Sequence, residues 1–133
     1  PLYEMLMAAL GVESSVDNLQ NQRMVMEMLQ RAPLTMSAYI VLFAPVLEEL
    51  LLRGIFFQSF GGIENRGKRW LLLVLSAFVF GSLHGLPVHY DFLLYFAMGL
   101  VLGAAYLHTK DLKYPILIHM VNNALGLAGM LFE

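Results

Sequence analysis

Two adjacent carboxylates and a guanidinium, Glu48, Glu49 and Arg53, interrupt a run that is otherwise mostly apolar from Ala38 to Phe60. Ionisable groups in such a run are expensive in a protein core and in lipid alike. On a helix Glu49 and Arg53 are four residues apart and share a face, so they can pair. Glu48 is rotated by about 100° from Glu49 and has no such partner within reach. The acid with a neutralising partner has a structural explanation. The other, Glu48, is the candidate for chemistry.

Other apolar runs carry polar groups at the same four-residue spacing. Phe80 precedes His84 in Phe80-Gly81-Ser82-Leu83-His84, and His119 precedes Asn123 in His119-Met120-Val121-Asn122-Asn123. A single histidine on an apolar face is more often a satisfied core residue than a catalyst. Two of them, with a Glu-Glu-Arg cluster on a third helix, are harder to explain that way. The chemistry open to this set is water activation. A carboxylate in an apolar cavity is harder to ionise, which makes it a usable general base near neutral pH. One histidine could share the proton transfer, and a second, with an asparagine amide, could donate to the oxyanion of a tetrahedral intermediate. Asn123 is preferred to Asn122 because it shares the His119 face. The chain has no cysteine, and Ser82 is not at the centre of a Gly-x-Ser-x-Gly turn, so no covalent nucleophile is visible. His89 and His108, near loop ends, read as ordinary interface residues, and the nine methionines read as core filler.

These groups must be positioned by helices. The 133 residues are 59% hydrophobic and 14% charged, with a mean hydropathy of +0.66, a balance shifted from soluble domains toward membrane proteins. The net charge of −2 and the scattered basic residues leave no nucleic-acid footprint. The expected fold is all-α: an integral-membrane bundle of about four transmembrane helices preceded by an N-terminal amphipathic helix. Residues 1–33 form the apolar and amphipathic interfacial segment, with 14–32 as the amphipathic helix ended by Pro33. Residues 34–133 form the core, with spans at 34–60, 70–86, 92–107 and 114–132. Pro45 should kink the first span one turn before Glu48. Gly99 and Gly103 give the third span a small-residue face for close packing. Lys and Arg cluster in the loops at 61–69 and 108–113, which places both on the cytoplasmic side. The chain opens on Pro1 and carries no signal-peptide pattern, so a piece of a longer protein is expected. On ideal parallel helices, Glu48, His84, His119 and Asn123 would lie roughly 16, 21, 9 and 15 Å from the basic-loop side. Tilt or a kink would be needed to bring them into one site.

The ordered set Glu48-Glu49-x-x-x-Arg53, Phe80-x-x-x-His84 and His119-x-x-x-Asn123 resembles the CAAX-protease and bacteriocin-processing family, also called Abi or type II CAAX prenyl endopeptidases. The resemblance covers about residues 35–132. It implies an intramembrane endopeptidase of the glutamate type; the residues themselves show no cofactor motif, and no metal ligand is assigned. Glu48 would be the water-activating base, His84 its assistant, and His119 with Asn123 the oxyanion-stabilising pair. Glu49 and Arg53 would be the supporting ion pair, and Phe80 would shape the cavity. The implied partners are membrane lipid and a protein or peptide substrate, membrane-bound or lipidated in some relatives. The compact loops lean toward a prokaryotic cell membrane, where relatives process peptides or are linked to bacteriocin immunity. Two rivals remain. One is a zinc-type metalloprotease with Glu48, His84 and His119 as ligands, although no His-Glu-x-x-His motif is present and Asn123 is a poor zinc ligand. The other is a non-enzymatic membrane scaffold or immunity protein.

Overall fold

The computed structural model describes residues 20–61, 66–85 and 90–132, which are all-helical with no strand. The apolar segment 1–12 and the start of the amphipathic stretch lie outside the described residues. The remainder of that stretch is helix α1, Gln20–Arg31, rich in the helix-favouring residues Met, Gln and Glu. It turns one face inward, where Leu29 is buried, and leaves Met24 and Met28 exposed. Ala32 leaves helical geometry (φ −148°, ψ 72°) and Pro33 opens the next helix, a position where its missing N–H is no loss.

That next helix, α2, runs unbroken through 33–59, but not as a uniform α-helix. Its pieces are Pro33–Ala38, a π segment Tyr39–Phe43, Ala44–Glu49, a second π segment Leu50–Ile55, and Phe56–Ser59. In the π segments the bonds reach five residues back: the Ala44 N–H to the Tyr39 carbonyl and the Phe56 N–H to the Leu51 carbonyl. The wider turns flank the piece that carries Pro45, Glu48 and Glu49, so the winding changes just ahead of the proline and again after the two acids. Such π turns are frequent at functional sites. The rod ends at Gly61, whose φ of +103° suits a residue without a side chain.

Helices α3 (Arg66–His84), α4 (Tyr90–Thr109) and α5 (Lys113–Phe132) complete the bundle. Between α4 and α5, Lys110 adopts φ 56° and its N–H bonds to the Tyr106 carbonyl, while the Asp111 carboxylate accepts from the Lys113 N–H at 2.9 Å and caps α5. Helices α3 and α4 share the most extensive interface among the described residues. The small-residue face makes that approach possible: a Cβ at Gly99 would lie 2.9 Å from the Ala77 Cα, and one at Gly103 would run into the Leu73 side chain. Helix α2 lies against α5 through its Tyr39–Phe43 and Ala44–Glu49 pieces.

Two apolar clusters hold α2, α3 and α4 together, Phe57, Leu72, Leu73 and Tyr106 in one, Leu52, Phe80 and Leu102 in the other. The remaining polarity is inverted relative to a water-soluble bundle. Glu49, Arg53, Ser76 and His119 are buried, while Trp70, Leu71, Phe78 and Leu83 of α3 and Leu117, Val121 and Leu125 of α5 are exposed. By length and composition, one helix among the described residues, Asp91–Thr109, is long and apolar enough to cross a membrane, with a mean hydropathy of 1.6.

Candidate active site

Glu49 is the hub of the interior. One of its oxygens, Oε1, accepts from Arg53 Nη1 at 3.0 Å and from His119 Nδ1 at 3.0 Å. The first contact is the pairing that four-residue spacing allows. The second joins α2 to α5 across 70 residues of sequence. Arg53 also donates through Nη2 to the Gly99 carbonyl at 2.8 Å, and its guanidinium carbon sits 5.3 Å from the centre of the Phe80 ring. The glycine that lets α4 approach α3 thus offers its carbonyl to the buried arginine. Glu49 and Arg53 are both fully buried, and this network of charge-assisted bonds and a cation–π contact offsets their charges, although Glu49 Oε2 and Arg53 Nε make no hydrogen bond among the described residues.

Glu48, one residue earlier, meets a different environment. Its Oε2 has no hydrogen-bond partner among the described residues, and lies 3.8 Å from Nε2 of His84 and 3.8 Å from Nε2 of His119. These separations are too long for direct hydrogen bonds and short enough for the groups to share a water. Both rings are fixed from behind. A carbonyl oxygen can only accept, so His84 donates Nδ1–H to the Phe80 carbonyl at 2.8 Å, and His119 donates Nδ1–H to the Glu49 carboxylate. Each imidazole therefore presents Nε2 to Glu48, the tautomer being set by the bond its other nitrogen makes. His84 is further held by Tyr95, stacked on it at 4.3 Å, and by Phe80 at 4.6 Å; Phe80 also meets the His119 ring at 5.5 Å.

The three groups open on a cavity of about 270 Å³. Tyr39, Ile40 and Ala44 of α2 and Asn122, Asn123 and Leu127 of α5 contribute to its wall, and Val25 brings α1 to its rim. Asn123 donates through Nδ2 to the Ile40 carbonyl at 2.9 Å. The depths of 9 to 21 Å expected on ideal helices are therefore overcome by winding and packing, which gather Glu48, His84 and His119 at one point. Among the described residues no group of three His, Cys, Asp or Glu side chains is disposed to hold a metal ion. Ser82 is committed to the Phe78 carbonyl on an exposed face, and His108 is exposed at the end of α4. His89 lies outside the described residues. Sequence reasoning did not find Tyr95, the Gly99 carbonyl or the Glu49–His119 bond. An aromatic in an apolar helix and a backbone oxygen carry no signal that distinguishes them from their neighbours.

Comparison with known proteins adds ancestry to this geometry. YdiL of Bacillus subtilis (strain 168), a candidate membrane peptidase, is 29% identical over 104 residues, which is 78% of this chain and 40% of that protein. The membrane-embedded CAAX protease MroQ of Staphylococcus aureus (strain USA300) is 34% identical over 89 residues, 64% of this chain and 35% of that protein. The chain thus spans less than half the length of either relative. No solved structure matches it. The family model described as type II CAAX prenyl endopeptidase Rce1-like matches residues 30–125, the interval that holds α2, α3, α4, His119 and Asn123. The chain belongs to the Rce1-like family of type II CAAX prenyl endopeptidases.

Proposed function

We propose that this chain forms the catalytic core of an intramembrane endopeptidase that hydrolyses peptide bonds with a glutamate-activated water. The observation that carries the reading is Glu48 Oε2, facing the Nε2 atoms of two oriented histidines at 3.8 Å on the wall of a cavity. Glu48 takes a proton from water while His84 orients it, and the water oxygen attacks the scissile carbonyl carbon. The resulting oxyanion receives hydrogen bonds from the amide of Asn123 and from His119 in its imidazolium form, which carries a proton on Nε2 as well as the Nδ1–H given to Glu49. An amide has two N–H groups, so donation to Ile40 leaves one for this role. Collapse of the intermediate breaks the C–N bond, and the proton held by Glu48 passes to the leaving nitrogen. The products are a new carboxyl terminus and a new amine. Glu49, Arg53 and Phe80 hold the histidines and the helix geometry.

In this reading α2 to α5 cross the membrane, α1 lies at its interface, residues 1–33 are the interfacial segment and 34–133 the catalytic core. The exposed leucines, phenylalanines and tryptophan of α3 and α5 support burial in lipid, since an apolar exterior of this extent is unfavourable in water. The loops at 61–69 and 108–113 face the cytoplasm of a prokaryotic cell. Substrates are proteins or peptides, with membrane-bound or lipidated chains in the range suggested by the CAAX protease relative.

The test compares released peptides and new protein N-termini from cells carrying the full-length wild type or Glu48→Gln at matched expression. Fragments that vanish only in the variant are expected, and they name the substrate. Identical profiles with the wild-type phenotype preserved would favour a scaffold. Loss of cleavage on chelation, with stoichiometric bound metal, would favour zinc chemistry.

A further inference from the structure

The register of α2 leaves the Ile40 carbonyl without a helical partner. The Ala44 N–H bonds to the Tyr39 carbonyl, five residues back, and the following residue is Pro45. The next bond of that register would run from the N–H of residue 45 to the Ile40 carbonyl, and proline has no N–H to give. Asn123 Nδ2 donates to this same oxygen at 2.9 Å, from 83 residues away in sequence. The donor identity follows from chemistry, because a carbonyl facing the Asn123 Oδ1 would be repelled. Ile40 and Asn123 are half-buried at the edge of the cavity, where an unpaired carbonyl is costly.

We propose that Asn123 is a positioning residue whose amide replaces the hydrogen bond that Pro45 removes, tying the turn that carries Glu48 to the helix that carries His119. Pro45 and Asn123 then work as a pair: the proline opens the α2 ladder and the asparagine closes it from α5. The clamp stands on geometry alone, while its importance for Glu48 rests on the endopeptidase reading.

Ile40–Val41 is the only Ile–Val step in these 133 residues, so isoleucine labelled at its carbonyl carbon with ¹³C and valine with ¹⁵N report on the Ile40 carbonyl by NMR, any Ile–Val step elsewhere in the full-length protein being told apart by its persistence in Ile40→Leu. In the full-length protein in detergent micelles, the signal is assigned by its loss in Ile40→Leu. Asn123→Asp, which keeps the size and loses the N–H, and Asn123→Ala should both move the Ile40 carbonyl resonance upfield. In Pro45→Ala/Asn123→Ala, where residue 45 regains a donor, the resonance should return toward its wild-type position. A resonance unmoved in both single variants overturns the clamp, and one that fails to return overturns its link to Pro45. In peptide hydrolysis the double variant should turn over about tenfold faster than Asn123→Ala, the size of a coupling between contacting residues. Equal rates overturn the positioning role even where the resonances behave as expected. Absence of hydrolysis by the wild type would remove the endopeptidase reading and leave the NMR result standing.

Discussion

Glu48 and Glu49 are sequence neighbours with opposite circumstances. Glu49 is fully buried and bonded to Arg53 and His119, whereas Glu48 keeps about a quarter of its side chain exposed (25%) and meets its histidines only at 3.8 Å. Glu48→Gln preserves size and removes the base, so kcat should fall by about 10²–10⁴ with little change in KM or in thermal stability. Glu49→Gln should instead cost stability, because it weakens the contacts of Arg53 and His119 together. Arg53→Met should be more damaging, by about 3–5 kcal/mol in a reversible unfolding assay, since it strands the Glu49 charge. The double variant Glu49→Gln/Arg53→Met should recover much of that loss, because no unpaired charge remains. Losses that simply add would show that the pair is not a unit.

At the scale of elements, the α3–α4 interface sets the position of the Gly99 carbonyl and hence of Arg53. A methyl at Gly99 would lie 2.9 Å from Ala77 Cα and 3.3 Å from the Ala77 carbonyl, both backbone atoms that cannot rotate away. Gly99→Ala should therefore separate the helices and destabilise the protein by about 1–3 kcal/mol, with loss of activity through the Arg53 contact. Gly129→Ala, on α5, meets nothing within 4 Å. It should be neutral or stabilising by up to about 1 kcal/mol, as expected for replacing glycine inside a helix. Thermal unfolding of both variants in the same detergent checks the contrast.

Among the described residues a buried cluster of Glu49, Arg53 and His119 sits within an apolar core while large apolar side chains of α3 and α5 face outward, an exterior suited to lipid. The orientation of the whole molecule can be read directly, because the chain has no cysteine of its own. Arg66→Cys and Lys113→Cys, both exposed, should react with a membrane-impermeant thiol reagent only from the cytoplasmic side of sealed vesicles. Labelling of the two positions from opposite sides would contradict four alternating spans.

The apolar runs that become α2 to α5, the breaks at Pro33 and Gly61, the Glu49–Arg53 pairing and the close-packing role of Gly99 and Gly103 were all legible in the sequence. Each follows from a local rule: hydrophobicity over a helix length, proline and glycine geometry, or four-residue spacing. The grouping of Glu48 with His84 and His119 could be anticipated as chemistry but not as geometry, since ideal helices put these residues at different depths. Only the tertiary structure decided it, through two π segments that rewind α2 and through the bonds from His119 to Glu49 and from Asn123 to Ile40. Those contacts join residues 70 and 83 positions apart, and one ends on a backbone oxygen that no side-chain pattern records. Local spacing fixes which face of a helix a residue occupies. Which faces meet, and at what height, depends on how the helices wind and pack against one another.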